Sequence, residues 1–178
     1  MAVSVFGIYF KLQTFIYMPT TGVTQGAMPI MAYNYGAKSK TRLSEVLKYS
    51  IIICVIVNFL GSVLFWVFPA QILSLFGASP EITELGINVL KIISLGYTFG
   101  SVCYIISSFL QAIGKGIPSL TITLLRQLIL LLPAAYFLGK FFGLTGVWLA
   151  FPIVEIITCI LCYILYKKSA KKDPLLAV

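Results

Sequence analysis

Long apolar stretches separated by short polar connections run through the whole chain. A helix that crosses a bilayer needs about 20 mostly apolar residues, and the stretches that qualify are residues 2–34, 49–68, 85–112, 117–138 and 144–166. Several of the connections are short and contain glycine, which is typical of links between neighbouring antiparallel helices. The pattern therefore predicts an all-α fold, a polytopic membrane helix bundle of about five transmembrane helices.

The connection between the second and third stretches has a helical pattern of its own. Residues 69–81 read PAQILSLFGASPE, which has the short apolar pattern of an interfacial helical turn. Ser79 is a candidate N-cap, with Pro80 in the first helical position and Glu81 in the opening turn. These residues indicate that a helix begins here.

Composition supports the membrane interpretation and bears on possible partners. The chain is 60% apolar and 10% charged, against roughly 45–50% and about 25% in soluble domains, and its mean hydropathy is +1.01. The net charge of +8 would favour nucleic acid in a soluble protein, but here the aromatic residues lie inside apolar stretches rather than among the cations. We therefore expect a lipid bilayer, and no nucleic acid, as partner.

The cations also predict an orientation, because Lys and Arg near the ends of spans resist translocation. Counted on alternate sides, nine lie on one face and one on the other. The larger set comprises Lys38, Lys40, Arg42, Lys48, Lys115, Lys167, Lys168, Lys171 and Lys172. This face, including the basic tail 167–178, is predicted to be cytoplasmic, with the amino terminus outside. No removable signal peptide is recognisable. An odd number of helices that begins outside the cell without a signal peptide is unusual for a free-standing protein, so we expect the chain to be a fragment of a larger one.

The residues needed for covalent chemistry or for a metal site are missing or badly placed. The sequence has no histidine, no Walker motif and no nucleophile–base pair, and its four cysteines fall inside apolar stretches. Buried small side chains are the simplest interpretation of these cysteines. The sequence predicts neither an enzyme nor a metal or cofactor site.

Arg126 and Glu155 are the charges placed deepest in the predicted membrane segments. Each lies about 13 Å from one end of its helix, near the middle of a hydrocarbon core about 30 Å thick. Consecutive antiparallel helices are usually neighbours, so an ion pair is sterically reasonable. Because an unpaired charge at this depth costs on the order of 3 kcal/mol, the residues are candidates for a structural pair, for proton or cation coupling, or for contact with a cavity or substrate.

Other polar side chains in the predicted spans need partners in protein or in a cavity. Most are expected to bond between helices or to pack, and a smaller share to line a substrate path. The candidate cavity-lining residues are Gln25, Asn34, Gln111, Gln127, Tyr97, Tyr104 and Tyr136. Prolines within or near the ends of spans bend helices, either as static kinks or as gates. The candidate gating kinks are Pro19, Pro29, Pro133 and Pro152.

Five sequence motifs in a defined order carry a family resemblance. They are GVTQGAMPIMAYNYGAKSKTR, FPAQILSLFGASPEI, FLQAIGKGIPS, LLRQLILLLPAAYFLG and FGLTGVWLAFPIVE. In order and spacing they resemble the carboxy-terminal lobe of the multidrug and toxic compound extrusion (MATE) family, most closely its bacterial multidrug exporters. The resemblance implies a multi-pass cell-membrane protein of twelve helices in two lobes. The five stretches then correspond to the eighth through twelfth helices, and the amino-terminal lobe and the seventh helix are missing partners.

The resemblance also implies a function. An intact exporter of this kind would bind drugs, often amphipathic organic cations, between its lobes and exchange them for H⁺ or Na⁺ by alternating access. One alternative is a flippase of the same superfold that moves a lipid-linked saccharide. Its anionic cargo favours several cations in the cavity, and here Arg126 and, if it faces a cavity, Lys11 are the candidates. A second alternative is a non-transporting membrane scaffold subunit.

Overall fold

A computed structural model describes residues 2–171 and 173–176, with side chains from residue 6 onward. Lys172 and residues 177–178 of the predicted basic tail lie outside the described part. All regular structure in the described residues is helical, which confirms the fold class. The elements are α1 (Ala2–Gly36), α2 (Lys40–Val67), α3 (Pro69–Leu75), α4 (Pro80–Ser94), α5 (Tyr97–Ala112), α6 (Gly116–Leu124), a π-helical turn (Leu125–Leu130), α7 (Leu131–Lys171) and a 3-10 turn (Pro174–Leu176).

The long helices α1 and α2 pack along matching stripes of buried residues. Both stripes repeat every three or four residues, which keeps them on one helical face, and both contain small side chains that let the backbones approach closely. Asn58 of α2 donates a hydrogen bond of 2.6 Å to Oγ1 of Thr20 on α1. The stripes are Thr20, Thr24, Ala27, Met31 and Asn34 on α1, and Leu43, Leu47, Ser50, Cys54, Asn58, Gly61 and Phe65 on α2.

By length and hydropathy, two described helical runs are able to cross a membrane, Lys40–Val67 and Gly116–Lys171, and a third qualifies if the bent pair α4 and α5 is one span. Helix α1 is not among them, because polar residues such as Lys11 and Gln13 lower its hydropathy. Its 35 residues are nevertheless about 52 Å long, more than the roughly 30 Å that a span requires. The predicted span at 2–34 therefore stays a prediction.

Gly143 turns the run Gly116–Lys171 into a hairpin. Its φ of 61° and ψ of −145° belong to a region that is open essentially to glycine. Residues 116–142, the first arm, and residues 144–171, the second arm, then run side by side. A Cβ added to Gly139 in the first arm would lie 3.0 Å from Cγ2 of Val147 in the second. The two arms correspond to the predicted stretches 117–138 and 144–166.

The prediction of one continuous helix over 85–112 was wrong. Helices α4 and α5 meet at a bend of 47°, at Leu95 and Gly96. The predicted start of α4 is confirmed, since Oγ of Ser79 accepts a hydrogen bond from the amide of Ile82 and Pro80 is the first helical residue. The predicted helical turn before it is also present, as α3.

Side chains of α2 bind the backbone carbonyls near this bend. Ser62 Oγ donates a hydrogen bond of 2.8 Å to the carbonyl of Ser94, and Trp66 Nε1 donates one of 3.2 Å to the carbonyl of Lys91. A break in a membrane helix leaves carbonyls without intrahelical partners, and in hydrocarbon these must find other donors. Hydrogen bonds from α2 therefore stabilise the bend.

Residues 173–176 fold back onto what we call the basic end of the bundle, formed by the end of α1, the connection between α5 and α6, residues 166–171 and residues 173–176 themselves. The carboxylate of Asp173 accepts hydrogen bonds from Tyr35 Oη (2.7 Å) and Lys115 Nζ (3.2 Å). Leu176 is completely buried, and the 3-10 turn that carries it packs against α7 and α2. We call residues 173–176 the clasp, because they connect the ends of elements that are far apart in sequence.

Candidate functional site

Arg126 and Glu155 are in direct contact across the hairpin. Arg126 Nε donates a hydrogen bond of 3.0 Å to Oε1 of Glu155, and Arg126 Nη2 contacts the same oxygen. Their side chains are 20% and 14% exposed, so the pair is largely withdrawn from solvent. At an effective dielectric constant of about 20, two unit charges 4 Å apart attract by roughly 4 kcal/mol. Desolvation of both charges offsets much of this attraction, so the pair fixes how the two arms meet rather than adding a large net stability.

The backbone around Arg126 is unusual. It lies in the π-helical turn Leu125–Leu130, and such turns occur mostly as short bulges inside α-helices, frequently at functional sites. Pro133 follows within the same arm and cannot donate a hydrogen bond to the carbonyl of Ile129, which lies in the turn. The π-helical turn thus lies where the regular series of α-helical hydrogen bonds is interrupted.

The second carboxylate oxygen of Glu155 faces α1 and α5. Oε2 is buried and has no hydrogen-bond partner among the described residues, and the same is true of the hydroxyl of Tyr17. A Cβ built on Gly100 would lie 2.3 Å from Tyr17 Oη and 3.0 Å from Glu155 Oε2. The missing side chain of Gly100 therefore leaves the space in which the phenol and the carboxylate approach each other.

Gly96 and Gly100 form a GxxxG face on α5 that holds the second arm close. A Cβ on Gly96 would lie 3.1 Å from both Cα of Pro152 and Cγ of Glu155. Small residues four positions apart allow membrane helices to pack with little backbone separation. Sequence reasoning missed Gly96, Gly100 and Tyr17, although the GxxxG spacing in GYTFG was a visible signal for the two glycines. No signal in the sequence pointed to Tyr17.

Arg126 and Gln127 line two cavities. The polar cavity, of about 330 Å³, lies between α5 and the first arm. Its polar lining includes Tyr104, Ser107, Gln111, Ser119 and Thr123. Three of the predicted cavity residues, Tyr104, Gln111 and Gln127, therefore share this cavity.

The aromatic cavity, of about 450 Å³, lies between the start of α1 and the two arms. Its aromatic lining is Phe6, Phe10 and Phe151, and Glu155 faces it beside Arg126. The ion pair thus lies at the boundary between the polar cavity and the aromatic cavity. Lys11 is exposed and lines neither cavity.

The structure places the other predicted cavity residues elsewhere. Tyr97 is buried in the packing core, 5.7 Å from the ring of Tyr17, and its hydroxyl has no partner among the described residues. Asn34 is buried and donates a hydrogen bond of 2.8 Å to the carbonyl of Ile30 in its own helix. Gln25 and Tyr136 are exposed on the surface of the chain. None of these four lines the polar or the aromatic cavity.

The four predicted kink prolines lie inside continuous helices. Pro19 and Pro29 are in α1, and Pro133 and Pro152 are in α7, one in each arm. Pro152 is buried against Gly96, whereas the other three are exposed. The sharp changes of direction occur instead at Gly143 and at the α4–α5 bend. A gating role for these prolines stays a prediction.

Sequence reasoning also missed the CxxC spacing of Cys159 and Cys162 on the second arm. Cys162 is buried and its Sγ lies 3.8 Å from the carbonyl oxygen of Cys103 on α5. Within the described residues, no three His, Cys, Asp or Glu side chains are grouped so that they could hold a metal ion. The thiols contribute to the contact between α5 and the second arm.

Comparison with known proteins gives a consistent family match. A family model described as MatE matches residues 1–137. The chain is 28% identical over 166 residues to the multidrug export protein MepA of Staphylococcus haemolyticus, covering 93% of this chain and 36% of the relative. It is 26% identical over 154 residues to MepA of a Staphylococcus aureus strain, covering 86% and 34%. The chain thus spans about a third of the length of these curated relatives.

Solved structures share the fold. The MATE multidrug transporter DinF-BH, solved in complex with a bound compound, superimposes with a TM-score of 0.84 at 32% identity, covering 98% of this chain and 38% of that one. A variant of the Vibrio cholerae MATE transporter VcmN gives 0.92 at 20% identity, covering 99% and 40%. At that lower identity the likeness concerns the fold alone.

Proposed function

Because the chain belongs to the MatE family, we propose that it is the greater part of the carboxy-terminal lobe of a cation-coupled multidrug exporter. The whole exporter would carry amphipathic organic cations out of the cell by alternating access, in exchange for H⁺ or Na⁺. The family match supports this proposal, and so does the length of the chain, which spans about a third of MepA. Such a chain would work together with a second, amino-terminal lobe. The same proposal gives the basic end a cytoplasmic location.

The observation that carries the coupling role is the position of the Arg126–Glu155 pair between the two cavities. Neutralising Glu155, by a proton or by a bound cation, would remove the attraction that holds Arg126. An unpaired guanidinium in a low-dielectric site is costly, so Arg126 would turn toward the hydroxyls and amides of the polar cavity. The contact between the two arms of the hairpin would change with it, and this is the conformational step that the ion would drive.

The aromatic cavity suits the proposed substrate class. Phe6, Phe10 and Phe151 line the cavity together with Glu155, and a flat organic cation that stacks on an aromatic ring gains roughly 0.5–2 kcal/mol from each such contact. For a flippase with an anionic saccharide cargo, several free cations would be expected. Among the described residues, the two cavities share one cation, Arg126, and it is already paired.

Replacement of Glu155 by Gln in the intact transporter tests the coupling. We expect ion-driven drug efflux to be lost while the protein still reaches the membrane, and the exposed Glu84→Gln should leave efflux unchanged. Normal ion-driven efflux by a well-folded Glu155→Gln transporter would eliminate the coupling role.

Co-expression of this chain with a complementary amino-terminal lobe tests the lobe assignment. Restored drug efflux supports an exporter lobe, whereas stable assembly of the two lobes without efflux supports the scaffold alternative. The co-expressed pair carrying Glu155→Gln is compared at equal amounts of assembled complex, measured by co-purification, because loss of the charge also destabilises the chain.

A further inference from the structure

Several buried oxygen atoms, Tyr9 Oη among them, lack the partners that buried polar groups normally have. Two of these atoms lie beside Gly100: Oε2 of Glu155 on the second arm and the hydroxyl of Tyr17 on α1. A buried carboxylate oxygen with no donor is costly, and a phenol is one of the few side chains that can donate to it in an apolar setting. The two orphaned atoms are therefore chemically complementary.

Geometry brings the same two atoms together. Both lie close to the point where Gly100 would carry a Cβ, at 2.3 Å for Tyr17 Oη and 3.0 Å for Glu155 Oε2. Neither atom has a hydrogen-bond partner among the described residues, so a contact between them needs one bridging water or a small rotation of either side chain. Any larger residue in place of Gly100 would occupy this space, which gives the glycine a specific role.

We propose that Tyr17 is a positioning residue for Glu155. Its hydroxyl donates a hydrogen bond to Oε2, directly or through one water, and so keeps Oε1 directed at Arg126. The proposal rests on the coupling role proposed above, and extends it by assigning α1 a part in orienting the carboxylate. It also links three elements, because α1 supplies the phenol, the second arm the acid and the π-helical turn the guanidinium.

The packing around Tyr17 holds its hydroxyl beside the ion pair, close to Arg126 as well as to Glu155. Its ring meets the ring of Tyr97 edge to face at 5.7 Å, and Tyr97 is itself held against Phe65 at 5.9 Å. Aromatic contacts of this kind fix ring orientation. The ionisable groups that face Glu155 are Arg126 from the π-helical turn, Tyr9 and Tyr17 from α1, Cys103 from α5 and Cys159 from its own helix.

Infrared spectroscopy of the purified 178-residue chain tests this hydrogen bond without requiring transport. The carboxyl bands of Glu155 are obtained as the difference between the parent chain and Glu155→Gln. We expect these bands to shift in Tyr17→Phe, because the carboxylate loses a donor, and to keep their position in Tyr97→Phe, which removes another buried hydroxyl nearby. Identical Glu155 bands in the parent and in Tyr17→Phe would overturn the proposal.

A double-mutant cycle gives a second, independent measurement. We expect Tyr17→Phe and Glu155→Gln to be non-additive in unfolding free energy, whereas Tyr97→Phe and Glu155→Gln should add. Additivity for both pairs would contradict the proposed contact. If efflux proves independent of Glu155, the coupling role fails, but the spectroscopic shift and the cycle still decide whether Tyr17 positions the acid.

Discussion

Arg126 Nε and Glu155 Oε1 form a hydrogen bond of 3.0 Å that connects residues 29 positions apart in the chain. The bond joins the two arms of the α6–α7 hairpin at the boundary between the polar and the aromatic cavity. A buried charge pair in a membrane protein both stabilises its helices and marks a candidate functional site. The predictions below separate these two contributions.

Removing one member of the pair should destabilise the chain more than removing both. Arg126→Met or Glu155→Met alone leaves a charge without its partner, and we expect a loss of about 3–5 kcal/mol. The double variant Arg126→Met/Glu155→Met replaces the pair by apolar side chains and should be clearly more stable than either single variant. Denaturant titration in detergent measures the unfolding free energy of the parent chain and of the three variants. If the two single losses simply add in the double variant, a direct pair is contradicted.

Gly100→Ala should destabilise the packing of α1, α5 and the second arm. The new Cβ would lie 2.3 Å from Tyr17 Oη and 3.0 Å from Glu155 Oε2, and overpacking of this kind costs about 1–3 kcal/mol. The control is Gly26→Ala, since a Cβ there has no neighbour within 4 Å. Adding Tyr17→Phe to Gly100→Ala should restore part of the lost stability, measured by thermal unfolding, because it removes Tyr17 Oη, the atom closest to the new Cβ.

Gly143→Ala should weaken the hairpin turn. The φ of 61° and ψ of −145° at this position disfavour any residue with a Cβ by about 1–3 kcal/mol. Gly116→Ala is the matched control, because Gly116 has a negative φ and an open Cβ position. Equal unfolding free energies for the two variants would show that the turn does not need glycine.

Asp173→Asn should loosen the clasp. The charge-assisted hydrogen bonds from Tyr35 and Lys115 would be lost or weakened, at a cost of about 1–2 kcal/mol. In a Leu176→Cys background, we expect the buried thiol to react with a maleimide several-fold faster when Asp173→Asn is added. The exposed Glu45→Gln makes the same charge change on α2 and should leave the labelling rate unchanged.

The clasp also predicts a pH dependence. The hydrogen bond from Tyr35 lowers the pKa of Asp173 below its usual 3.8, and Lys115 and the amide of Leu175 act in the same direction. Because the folded pKa is lower than the unfolded one, the carboxylate contributes its full stability above pH 3.8 and loses it as the pH falls through the folded value. The protection of the Leu175 and Leu176 amides against hydrogen exchange, corrected for the intrinsic exchange rate at each pH, should therefore fall in acid, and Asp173→Asn should remove that fall.

The bend between α4 and α5 could not be predicted from the sequence. The apolar run 85–112 has no internal break that hydropathy detects, and Gly96 alone does not end a helix. At the bend, carbonyls of α4 accept hydrogen bonds from Ser62 and Trp66, which lie on another helix. The start of α4 was predictable because Ser79 and Pro80 act on backbone groups within a few residues.

By itself the sequence determined the membrane character, the order of the helices, the helix start at Pro80 and the two charges most in need of a partner. These properties depend on hydropathy, charge and the local backbone, which neighbouring residues decide. Only the tertiary structure decided that Tyr17 and Gly100 meet Glu155, that the cavities share Arg126, and that Asp173 reaches Tyr35. Those contacts join residues from different helices. They depend on how the helices pack and on which polar atoms then face one another, and no pattern along the chain encodes either.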